Sequence, residues 1–96
     1  MEYRDYMIIL YDYYRELFND KQQEYFEDYY FNNLSLGEIS ENCEVSRNAI
    51  HKVIKGIEDK LIWYEEKLKL YNKSKAILEL LTNVDDDIKI KIEKLL

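Results

Sequence analysis

Proline is missing from the 96 residues, and glycine occurs only at Gly37 and Gly56. A chain so poor in turn residues does not read as turn-dense β architecture, and it has no glycine-rich loop to cradle a phosphate. Cys43 stands alone, which excludes an internal disulfide, and with the single histidine, His51, it leaves too few ligands for a zinc site. Asp85-Asp86-Asp87 lacks the glycine and the ligand spacing of a calcium loop and reads instead as acids at a helix start. No apolar run approaches a spanning helix or a signal peptide, so the expected compartment is the cytoplasm, with no membrane partner. No base stands at a suggestive spacing from a nucleophile, so the chain is expected to be no enzyme, and to need no metal or cofactor.

What remains is helical. With 47% hydrophobic residues in 96, the chain can bury one modest core, and the expectation is a single all-α domain over 1–96 with five to six helices. Its most informative stretch runs from Leu36 to Lys55. Ser35 and Glu38 form a capping box, and Ser46 can cap a second helix that begins about ten residues later. Ile39, Cys43, Val45, Ile50 and Val53 are spaced to close one small core between two short crossed helices. That is a helix-turn-helix. Its second helix turns outward Arg47, Asn48, His51, Lys52 and Lys55, side chains suited to phosphates and base edges.

The net charge of −6 argues against nucleic acid at first, but its distribution reverses the argument. Residues 1–45 hold eleven acids against three bases, whereas 46–55 hold three bases and no acid. The one basic stripe therefore coincides with the candidate recognition helix. Three cations per chain are a thin footprint, which a dimer would double.

Elsewhere the pattern predicts a helix from Tyr3 to Phe18, with Tyr3, Met7, Leu10, Tyr14 and Leu17 on its inner face. A second runs from an Asp20 cap with Gln23 to about Phe31, burying Phe26, Tyr29 and Tyr30. From Ser46 no strong breaker appears before Asn72 to Ser74, and Ile50, Val53, Ile57, Leu61, Tyr64, Leu68 and Tyr71 form one seam of a long helix. Gly56 lies inside it as a local weakness rather than an end. Asp85 can cap a last helix carrying Ile88, Ile92, Leu95 and Leu96. The helix-turn-helix core is thus expected at about 20–60, with a helical extension over about 61–96. The ten tyrosines, eight of them in the first 30 residues, lack interleaved bases for stacking on RNA and read as core residues with hydroxyls at the rim.

The run MIILYDYYRELFNDKQQEYFEDYYFNNLSLGEISENCEVSRNAIHKVIK, followed by LIWYEEKLKLY, resembles the YlxM family of small helix-turn-helix proteins, over roughly residues 4–75. Its central part, DKQQEYFEDYY through VSRNAIHKVIK, is also similar to region four of bacterial sigma factors. The resemblance implies an all-α helical unit without a wing, duplex DNA as partner through the major groove, and a regulatory or accessory role beside the signal recognition particle pathway. The pattern departs at the turn, where Glu44 stands in the usual place of glycine, at about 1 kcal/mol for the left-handed conformation. Two functions follow as expectations. One is a DNA-binding regulator, a homodimer, reading DNA through Arg47, Asn48, His51, Lys52 and Lys55. The other is an adaptor whose acidic half docks a basic protein or RNA–protein component of the same pathway.

Overall fold

Four helix starts are built on short polar side chains that meet orphan amides. A computed structural model describes all 96 residues, as α1 (Tyr3–Tyr14), a 3-10 turn (Arg15–Leu17), α2 (Asp20–Tyr30), α3 (Leu36–Cys43), α4 (Arg47–Leu68), α5 (Leu70–Leu80) and α6 (Asp86–Glu93). Ser35 Oγ accepts from the Glu38 N–H at 3.1 Å, and Glu38 Oε1 accepts from the Ser35 N–H at 3.1 Å, the expected reciprocal box. Ser46 Oγ accepts from the Ala49 N–H at 3.1 Å, and the Asp85 carboxylate accepts from the Asp87 N–H at 3.2 Å. At α2 the cap is Asn19 with Gln22, one residue earlier than Asp20 with Gln23. Asp20 then sits in the first turn, where its charge meets the positive end of the helix.

The core is a single cluster wrapped around α4, against which α1, α2 and α3 all pack. Met7, Leu10, Tyr11 and Tyr14 come from α1, Tyr25, Phe26 and Tyr30 from α2, Ile39 from α3, and Ile50, Ile54, Ile57 and Leu61 from α4. Phe26 is its centre, stacked between Tyr11 at 4.1 Å and Tyr30 at 4.3 Å, centroid to centroid. Two residues expected on the inner face of α1, Tyr3 and Leu17, are instead about half exposed. The helix tightens to a 3-10 turn after Tyr14, and the change from 3.6 to 3.0 residues per turn rotates Leu17 outward while burying Phe18. On α2, Tyr25 is buried and Tyr29 only partly so. The expected five-residue seal of the helix-turn-helix is also redrawn. Ile39 and Ile50 are buried with Ile54, Cys43 and Val53 are half-buried, and Val45, at the end of the turn, is exposed.

Helix α4 runs through Gly56 without interruption but ends at Leu68, short of Asn72. Lys69 takes φ 56° and ψ 32°, a left-handed residue that breaks the long seam into α4 and α5 and leaves Leu68 44% exposed. A buried carboxylate stabilises that break. Glu65 reaches forward so that its Oε1 accepts from the Tyr71 N–H at 3.2 Å and its Oε2 from the Asn72 N–H at 3.0 Å, capping α5 from the preceding helix. Tyr14 Oη donates to Glu65 Oε1 at 2.6 Å and accepts from the Leu70 N–H at 3.0 Å. An acid one residue beyond the seam position Tyr64 gives no sign from sequence alone that it will cap the next helix.

The tyrosine hydroxyls reach the rim as expected, and those of three buried tyrosines, besides the half-exposed Tyr3, find carboxylates. Tyr11 Oη donates to Glu27 at 2.7 Å, Tyr14 to Glu65, and Tyr30 to Glu58. Burial first, and these acceptors second, push the Tyr14 hydroxyl up to about 12, and those of Tyr11 and Tyr30 move in the same direction. A pKa raised in the folded state means that the native protein holds protons which the unfolded chain releases near pH 10. The stability these groups contribute is therefore complete below pH 10 and is lost as pH rises toward 12. Helix content is expected to fall in one cooperative step as these three hydroxyls ionise, with helix content and tyrosinate absorbance followed together across that window. Ionisation of all ten tyrosines with the helices intact would contradict the packing described.

Candidate nucleic-acid interface

Helix α3 and the first turns of α4 are joined by a tight turn at Glu44, with φ 54° and ψ 38°. Its N–H donates to the Ser40 carbonyl, and the Val45 N–H donates to the same oxygen at 3.2 Å. The left-handed geometry that glycine usually supplies is thus present with glutamate, at about 1 kcal/mol. The turn sets α4 so that Ile50, Ile54 and Ile57 face inward. The 3.6-residue period then places Asn48, Lys52 and Lys55 on the opposite side, with Arg47 in the first turn and His51 toward one edge. All five are exposed, and all five lie within nine residues of one helix.

Their electrostatic standing differs. Of the three ion pairs in the molecule, one joins Lys55 Nζ to Asp59 at 3.0 Å, so Lys55 is partly neutralised one turn along its own helix. Hydrogen bonding to Asp59 raises its pKa, which keeps it charged while occupied. Arg47 and Lys52 have no acid within 4.0 Å and are the free cations of the face. Sequence reading missed Asp59 as a modulator, although the Lys–Asp spacing of four residues is itself a legible signal. Glu58, the other acid nearby, is turned away and held by the hydroxyls of Tyr3 and Tyr30.

The pattern of one family runs through nearly the whole of this arrangement. Residues 1–95 match UPF0122, described as "Putative helix-turn-helix protein, YlxM / p13 like". The chain belongs to the UPF0122 family. A member from Caldanaerobacter subterraneus subsp. tengcongensis is 43% identical over 83 residues, covering 86% of this chain and 71% of the relative. One from Ureaplasma urealyticum serovar 10 is 42% identical over 88 residues, covering 92% and 89%. One from Listeria innocua serovar 6a is 40% identical over 99 aligned positions, covering 93% and 90%. The UPF0122 fold seen here is all-helical, and none of its helices is long and apolar enough to cross a membrane. The match extends beyond the helix-turn-helix through α5 and the whole of α6, so the C-terminal arm belongs to the family's pattern.

Proposed function

We propose that this UPF0122 protein is a DNA-binding regulator that lays the start of α4 in the major groove of duplex DNA. The observation that carries the reading is the two exposed, unpaired cations Arg47 and Lys52 in the first two turns of a correctly capped helix, in an otherwise acidic molecule. In a helix-turn-helix the N-terminal residues of the recognition helix reach base edges. Arg47 and Asn48 are placed for that role, Lys52 and Lys55 for phosphates, and His51 for either. The resemblance to the YlxM family is what supports reading this regulation as belonging beside the signal recognition particle pathway.

Two copies act together in this reading. One chain offers few cations, and its C-terminal arm leaves Leu70, Leu78, Leu80, Ile88 and Ile90 between 41% and 79% exposed. Exposed apolar surface of this extent is suited to contact with a second copy. The molecule extends 53 Å along its long axis, enough to set two recognition helices about 34 Å apart, one turn of DNA.

A second reading rests on the acidic N-terminal half, which would dock a basic partner of the same pathway. Part of that acidity is already engaged, since Glu27 meets Tyr11 and Arg15, while Asp20 and Glu24 remain exposed. Titration of a labelled duplex across a salt series separates the two readings, with light scattering on the same samples giving the mass. The expected result is affinity that falls steeply with salt and the mass of a dimer. No binding at low salt would leave the basic-partner reading standing.

A further inference from the structure

Beside the recognition helix lies a second basic feature with no place in the sequence pattern. A concavity of about 340 Å³ opens between the start of α2 and the middle of α4, with Lys21 on one wall and Lys52 and Lys60 on the other. Three lysines converge there from two helices, in a chain with six more acids than bases. Asn19, Gln22 and Tyr25 complete the wall on the α2 side; the first two side chains are spent on the capping box and the Tyr25 ring lies 5.2 Å from Lys21 Nζ, so the charge of the site is that of the lysines. Lys21 also meets Glu24 at 3.4 Å, an exposed pair that competes weakly.

Gly56 lies in this concavity. It is helical with ordinary backbone angles, and a Cβ added there would touch nothing within 4 Å. Neither conformation nor packing in the isolated molecule calls for glycine at a position where it weakens the helix. A bare backbone between lysines does allow close approach by a phosphate.

We infer that this lysine-ringed concavity receives the phosphate backbone of the DNA strand that borders the groove occupied by α4. The inference rests on the DNA-binding reading above. Helical rise puts Lys60 ~20 Å from Arg47, farther than the ~12 Å width of the major groove, so with Arg47 at the bases Lys60 stands at the groove's edge. Lys52 belongs to both features and joins them.

The test compares salt dependence of binding to one labelled duplex of arbitrary sequence for four proteins: the native chain, Lys21→Gln with Lys60→Gln, Lys73→Gln with Lys75→Gln on α5, and Gly56→Leu. Each phosphate contact contributes about 0.9 to the slope of log affinity against log salt. The Lys21/Lys60 variant is expected to lose about 2 from that slope, and the α5 variant much less. Gly56→Leu is expected to melt a few degrees higher and yet bind several-fold more weakly, because the new side chain fills the concavity. If the native chain binds and the Lys21/Lys60 slope is unchanged, or if the α5 variant loses as much, the concavity is no phosphate site. Gly56→Leu binding as well as the native chain would overturn it equally. Failure of the native chain itself to bind at low salt would remove the DNA-binding reading, and this inference with it.

Discussion

Arg47→Ala combined with Lys52→Ala is expected to weaken duplex binding roughly 5- to 150-fold while leaving the melting temperature nearly unchanged. An arginine that reads a base contributes about 1–3 kcal/mol of binding, and a lysine on phosphate lowers the salt slope by about 1 when removed. Both side chains are exposed and without an ion-pair partner, so their loss takes nothing from the core. Lys55→Ala should cost less, because Asp59 already holds Lys55 at 3.0 Å. By the same logic Asp59→Asn frees Lys55 and removes a repelling charge, and should tighten binding. Fluorescence anisotropy with a labelled duplex, paired with thermal melts, measures all of these. A fall in melting temperature that tracks the loss of binding would make Arg47 and Lys52 structural residues.

Phe26→Ala is expected to destabilise the fold by about 3–5 kcal/mol, the cost of a large aromatic truncated in a filled core. Phe26 is fully buried, stacked on both faces by Tyr11 and Tyr30, and met edge-on by Phe31. Small domains hold only about 5–15 kcal/mol in total, so the variant should be partly unfolded at moderate temperature. Leu17→Ala is the matched comparison. The 3-10 turn leaves Leu17 about half exposed, so its truncation should stay within about 0.5 kcal/mol. Chemical denaturation of the two variants checks both numbers. Equal losses would mean that Leu17 keeps the buried place its helical spacing implied.

That contrast marks the division between what the chain's pattern discloses and what it does not. The Ser35 capping box, the Ser46 cap, the helix-turn-helix and the outward face of α4 follow from local chemistry: a hydroxyl three residues before a glutamate, and apolar residues at helical spacing. These were legible at Ser35, Ser46 and Arg47–Lys55. The left-handed Glu44 was legible too, as a departure with a known cost. What could not be read depends on contacts distant in sequence. Leu68 left the seam because Lys69 turned left-handed and Glu65 capped α5 with help from Tyr14, 51 residues away. Periodicity continues through such a break because it registers only spacing. The lysine concavity has the same origin, for Lys21 and Lys60 meet only once α2 and α4 have packed. The sequence stripe accordingly contained Lys52 but neither Lys60, farther along the same helix, nor Lys21 across the concavity.

Tyrosine accounts for much of the remainder. Eight tyrosines in the first 30 residues look like surplus aromatic surface until Glu27, Glu58 and Glu65 are seen to receive the hydroxyls of three buried tyrosines. The acidity of the molecule is thus in part an internal matter, used to satisfy a tyrosine-rich core. This weakens the case for the acidic half as a docking surface and leaves the basic face of α4 as the more distinctive exterior feature.

The most direct test of that face is a residue-resolved titration of the labelled protein with a short duplex, followed by backbone amide NMR at low salt. The account predicts that the largest shifts fall on Arg47–Lys55, with smaller ones at Lys21 and Lys60 and none along α6. Shifts concentrated on α1 and the acidic surface of α2, or no shifts at all, would contradict it.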